Sequence, residues 1–104
     1  MLIYKVCSKT VWDQIRTLTS WAGSAHDLRD GFIHFSTKNQ LAGTLQKHYV
    51  GQTDLVLLSI EADTLGDALK WEPSRGGDLF PHLYGPLSIA LIISDEPIDM
   101  ETWA

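Results

Sequence analysis

Residues able to do chemistry gather in two blocks of the sequence, 31–36 (GFIHFS) and 71–86 (WEPSRGGDLFPHLYGP). In the second block Arg75 precedes Gly76 and Gly77, and His82 and Tyr84 flank Leu83. An arginine carries a permanently charged planar fork that fits a phosphate or a carboxylate. Paired glycines let backbone N–H groups come close to an anion. His82 and Tyr84 alternate, so an extended arm turns both to one face. Imidazole is the side chain best poised for proton transfer near neutral pH. In the first block His34 and Ser36 alternate with Ile33 and Phe35. A strand there buries Ile33 and Phe35 and turns His34 and Ser36 to the other side. That polar strip suits a ribose or a phosphate oxygen.

The expectation is one cleft lined by His34, Ser36, Arg75, His82 and Tyr84. His34 and His82 are its candidate catalytic acid–base groups, and Ser36, Arg75 and Tyr84 its candidate ligand-binding groups. Each has a structural alternative. His34 can be a core histidine satisfied by its neighbours. Arg75 can pair with Glu72 or Asp78 across its own loop. His82 can cap the loop and Tyr84 can pack. His26 and His48 carry a weaker signal, with His48 read as a core-edge residue on a helix face. The four histidines show no zinc-like spacing and a single cysteine completes no ligand set, so no metal is expected. Cys7 falls in an apolar strand and is expected to be inert.

These positions must be held by a scaffold. The segment 2–7 reads as a strand, and 8–18 as a helix with Val11, Ile15 and Leu18 at helical spacing. Ser8 or Thr10 can cap it, and Thr10 with Asp13 resembles a capping box. Residues 19–31 read as a long mixed loop, and 32–36 as the second strand. Thr37 and Gln40 form a capping box for a second helix bearing Leu41, Leu45 and His48, with Gly51 as its stop. The run 54–60 (DLVLLSI) is apolar throughout and reads as a central strand. Residues 61–69 are ambiguous, and 68–71 reads as a short strand. The block 71–86 reads as an ordered loop with a short extended arm, since proline and paired glycine oppose a helix interior. A last strand is expected over 87–93. An acidic tail follows from 94, with Ile98, Met100 and Trp103 available to pack it. Few early helices and many later strands make this one α+β domain over 1–104, with a mixed or mostly antiparallel sheet and two main helices.

The chain has 104 residues, 44% of them hydrophobic, which is enough for one core without staples. Its net charge of -5 disfavours a nucleic-acid or anionic-membrane partner held by overall charge. One cysteine allows no internal disulfide and fits a reducing cytoplasm. The apolar run of MLIYKVCSKT is too short for a signal peptide, and no stretch is long enough to span a membrane.

The segments IYKV, GSAHDLRDGFIHFST, DLVLLSIEAD and WEPSRGG with LFPHLYGPL strongly resemble the bacterial family called domain of unknown function 952. A more distant resemblance rests on the order strand, helix, Gly-x-Ile-His-Phe-Ser, helix and DLVLLSIEAD. It is similar to the RNA 2′-phosphotransferase branch of the ADP-ribosyltransferase superfamily. That resemblance implies a split sheet with NAD in a cleft between two small sheets. His34 and Ser36 fall on that branch's His-x-Ser, so His34 would contact the nicotinamide-side ribose. It implies a transferase of ADP-ribosyl or phosphoryl groups, or an NAD- or nucleotide-binding protein. A non-catalytic ligand-binding or interaction module on the same fold is the alternative. The chain departs from that superfamily on the first strand, where it has Tyr4 and Lys5, and at Asp30, where an arginine is expected. Glu72 is the nearby candidate for a catalytic glutamate.

Overall fold

The computed structural model describes residues 1–99, apart from the side chain of Arg75. Its strands are β1 (Leu2–Ser8), β2 (Ser20–Trp21), β3 (Ile33–His34), β4 (Leu55–Glu61), β5 (Leu69–Pro73), β6 (Leu79–Leu83), β7 (Leu87–Ser88) and β8 (Ile92–Pro97). Its helices are α1 (Lys9–Ile15), α2 (Ala25–Asp30) and α3 (Leu41–His48). The fold is α+β, and every strand pair is antiparallel.

The apolar run of β4 forms the middle of the first sheet, in the order β1-β4-β8. Period-two alternation splits its side chains between two faces. Val56, Leu58 and Ile60 join Ile3, Trp12, Ile15, Ile33 and Phe35 in the main core. Leu55 joins Val6, Leu41 and Leu45 in a second cluster under α3, where Ile98 also packs. Helix α1 is capped by Ser8, whose hydroxyl accepts from the Val11 N–H at 3.1 Å. Ser8→Ala should lower stability by about 1 kcal/mol, read as a shift in a urea melt. An unchanged midpoint would show that the cap is idle.

The second sheet has the order β3-β6-β5. Residues 33–36 stitch it to the first. His34 pairs with His82 of β6, and Phe35 N–H then donates to the Pro81 carbonyl at 3.0 Å. Two residues on, Ser36 bridges Tyr4 of β1, exchanging backbone hydrogen bonds of 2.8 and 2.9 Å. One short segment therefore belongs to both sheets, and its polar face looks into the gap between them. Among the described residues no helix is long and apolar enough to cross a membrane.

Several expectations are corrected. The first helix is shorter than expected, running only over Lys9–Ile15; of the two capping candidates Ser8 caps it, and Leu18 lies exposed beyond its end. The long loop 19–31 contains β2 and α2, so there are three α-helices where two were expected. The second strand is two residues long, because its pairing changes partner at Phe35. The capping interaction at Thr37 is present, with its N–H donating to Gln40 Oε1 at 3.0 Å, but α3 ends at His48, short of Gly51. The block 71–86 is mostly a β-hairpin of β5 and β6, closed by a 3-10 turn over Arg75–Gly77. Gly76 and Gly77 have φ of 71° and 83°, the left-handed values this turn requires. The last strand is broken by a 3-10 turn at Ile89–Leu91, and β8 carries the chain on to Pro97 along β4. Met100 and Trp103 lie outside the described residues.

Candidate functional site

The site is built on a buried acid. Asp27 lies in α2, with its carboxylate 1% exposed. The helix begins with a capping box in which Ser24 and Asp27 exchange hydrogen bonds. The same carboxylate reaches further. It meets the buried Lys5 ammonium at 2.8 Å. It also accepts from the His34 backbone N–H at 3.1 Å and faces His34 Nδ1 at 2.6 Å. Burial alone would raise this carboxyl. The His34 hydrogen bond, the Lys5 charge and contact, and the Ser24 N–H together outweigh it and hold Asp27 well below the usual range. Burial works against the Lys5 ammonium, which Asp27 sustains. An ionised Asp27 only accepts, so His34 Nδ1 carries a proton and donates to it.

His34 is thereby clamped. Its Nε2 lies 3.0 Å from Asp30 Oδ2, and His26 Nε2 lies 3.1 Å from the same oxygen. Burial would raise Asp30, and the nearby His26 and His34 reverse that and lower it.

The hairpin brings the second histidine. His82 stands directly opposite His34 in the β3–β6 register, with ring centroids 5.4 Å apart. Phe32 stacks on His82 at 4.1 Å. Glu72 Oε1 accepts from Tyr84 OH at 2.7 Å and lies 2.9 Å from His82 Nδ1. These two contacts hold Glu72 below its ordinary value, and the Glu72 hydrogen bond raises Tyr84. Each central imidazole is thus oriented at Nδ1 by its own carboxylate.

A cavity of about 80 Å³ opens between the sheets. His34, Ser36 and His82 line it, together with Lys5, His26 and His48. Ser36 Oγ and Thr44 Oγ1 are hydrogen-bonded at 2.8 Å. All four histidines of the chain therefore meet at one place. Tyr84 is not in the wall; it stands exposed behind His82 and acts through Glu72. The Arg75 side chain lies outside the described residues, although its neighbour Ser74 lines the cavity. His48 is exposed at the cavity edge, not tucked beside the core, because only Leu41 and Leu45 of α3 face inward.

The family model described as a protein of unknown function, DUF952, matches residues 6–94. The chain belongs to that family. No curated protein matches it. Among solved structures, the crystal structure of protein CC0527 from Caulobacter crescentus is 47% identical. The match covers 95% of this chain and 87% of that one, at a TM-score of 0.91. The solution NMR structure of CC0527 is 48% identical over 94% of this chain and 84% of its own, at a TM-score of 0.84.

Two residues of this DUF952 site, Asp27 and Lys5, escape a sequence reading, as does the role of a third, Glu72. Asp27 was hidden in a stretch with no apolar periodicity, where the one available cue was the Ser24-x-x-Asp27 capping spacing. Lys5 sits in an apolar strand, and its charge there was the signal of a buried partner. Glu72 is a candidate glutamate by sequence, but its contact with His82, diagonal to it across the hairpin where Lys70 is the direct partner, becomes visible only once the register is known. Cys7 is buried, which raises its thiol to about 11 and keeps it unreactive.

Proposed function

We propose that the cavity receives the ribose or phosphate end of a nucleotide-type ligand, with NAD or an ADP-ribose derivative as first candidate. His82 is its proton carrier and His34 with Ser36 orients the sugar. One observation carries this reading: His34 and His82, from distant parts of the sequence, face each other across paired strands and share the cavity. Each is oriented through Nδ1 by a carboxylate, the arrangement that prepares an imidazole for acid–base work. The shared segment 33–36 between two sheets agrees with the ADP-ribosyltransferase-like cleft that its His-x-Ser implies. The enclosed volume suits one ring or one phosphate, leaving the rest of a dinucleotide over the open mouth. Arg75, in the turn beside Ser74, is the candidate phosphate ligand.

The test is a melting-temperature screen against NAD, ADP-ribose and nucleotides, followed by assay of nicotinamide release from NAD. A ligand at about 100 times its Kd should add roughly 2.7 kcal/mol of stability. Catalysis should fall by about 10²–10⁴-fold in His82→Ala. A shift without nicotinamide release would favour the non-catalytic binding module. That second reading is supported by the Asp30 carboxylate against His34 Nε2, which ties up the ring's other nitrogen. No shift with any of these compounds would end the nucleotide reading.

A further inference from the structure

His26, Asp30 and His34 present three ligand atoms within 4.8 Å of one another. Two of the three separations are 3.1 and 3.0 Å, both to Asp30 Oδ2. A first-row divalent ion bound at about 2.0–2.1 Å sets adjacent ligand atoms roughly 3.0–3.4 Å apart. The third edge, between the two imidazoles, closes by a turn of the His26 side chain, which is 40% exposed. The other Asp30 oxygen, Oδ1, lies 3.5 Å from Arg29 Nε.

The chemistry of His34 argues the same way. Its Nδ1 is committed to Asp27, which leaves Nε2 as the ring nitrogen directed at the Asp30 carboxylate. Asp30 Oδ2 meets His26 in the same geometry. One dication beside Asp30 Oδ2 reaches both imidazoles at once. The Asp27–His34 hydrogen bond is the outer support that metal-binding histidines ordinarily have, a carboxylate on the far ring nitrogen fixing tautomer and orientation. Lys5 holds Asp27 in turn.

We propose that His26 Nε2, Asp30 Oδ2 and His34 Nε2 bind a divalent first-row transition ion, zinc first. Two imidazoles and one carboxylate suit zinc, iron(II), cobalt or nickel, and not calcium or magnesium, which prefer oxygen ligands throughout. Both imidazoles line the cavity, so the open coordination positions take an exogenous oxygen there, from water, a phosphate or a sugar hydroxyl. The inference does not rest on the nucleotide reading, and its test uses metal alone.

Metal-free protein is titrated with zinc by calorimetry near neutral pH, and with cobalt(II) by visible absorption. The expected result is one equivalent per chain, with nitrogen-ligand cobalt bands. His26→Ala and Asp30→Asn, both at exposed or partly exposed positions of α2, should keep the fold and weaken zinc by more than about tenfold. His82→Gln removes a neighbouring imidazole that is not in the ligand set and should leave zinc affinity unchanged. Absence of binding overturns the proposal. So does binding that survives both α2 substitutions, or that falls equally in His82→Gln, which would mean diffuse capture by the histidine cluster. A failed nucleotide screen leaves this result standing, and a failed zinc titration leaves the nucleotide screen standing.

Discussion

Replacing Asp27 by alanine should lower stability by about 3–5 kcal/mol, the loss expected when one partner of a buried ion pair is removed. The substitution strands the Lys5 ammonium, which is 5% exposed and pairs with no other carboxylate among the described residues. It also removes half of the α2 capping box and the acceptor that orients His34. At roughly 4–8 °C per kcal/mol for a domain of this size, the melting temperature should fall by tens of degrees. The sign with pH is fixed by the direction of the shift. Asp27 is held below its ordinary value, so its contribution is fully present above about 3.9, the unfolded-chain figure. It fades as pH falls from there toward the folded-state value. The gap between wild type and Asp27→Ala should therefore be widest near neutrality and shrink in acid. Chemical denaturation at a series of pH values measures it. A gap that is small, or that stays constant into acid, would mean that the pair contributes little. Lys5→Met placed on Asp27→Ala should recover part of the loss, because it removes the stranded charge.

How legible the molecule was depends on the range of the interaction concerned. The central strand β4 was plain, since five of its seven residues are buried, on both faces, and leave little polar signal. The alternation at 33–36 was also plain, and Ile33 and Phe35 are buried while His34 reaches the cavity. Helix α2 was not legible. Its Leu28 is exposed and its one buried residue is the acid, so no apolar stripe marks it. The hairpin was hidden for the opposite reason. Glycine and proline usually mark loops, yet Pro81 sits within β6 and needs only its carbonyl, which accepts from Phe35. The Lys5–Asp27 pair spans 22 residues and no local pattern encodes it. His26 and His48 looked weak because zinc-like spacing was sought along the chain, whereas the fold assembles the imidazoles from α2, β3, α3 and β6.

The second large effect is steric and lies four residues before the acid. Gly23 has φ of 108°, and a Cβ added there would meet Asp27 Cβ at 2.6 Å and Asp27 Oδ2 at 2.9 Å. Real Cβ atoms do not come that close, so something must move. The flexible end of a surface side chain would swing away at little cost. Asp27 cannot, because Lys5, His34 and the Ser24 N–H all hold it. Gly23→Ala should therefore add two costs. Left-handed backbone strain contributes about 1–3 kcal/mol, and forced displacement in a packed interior contributes about 1–3 kcal/mol more. Gly31 supplies the internal comparison. It too has a positive φ, 87°, but a Cβ there meets nothing within 4 Å. Gly31→Ala should show the strain alone. The difference between the two variants in a urea melt isolates the collision with Asp27. Equal losses would mean that the carboxylate can retreat, and that the buried network is looser than its hydrogen bonds imply. A larger loss at Gly23 should be accompanied by a changed His34 imidazole resonance in NMR spectra, since that ring is oriented by the acid that must move.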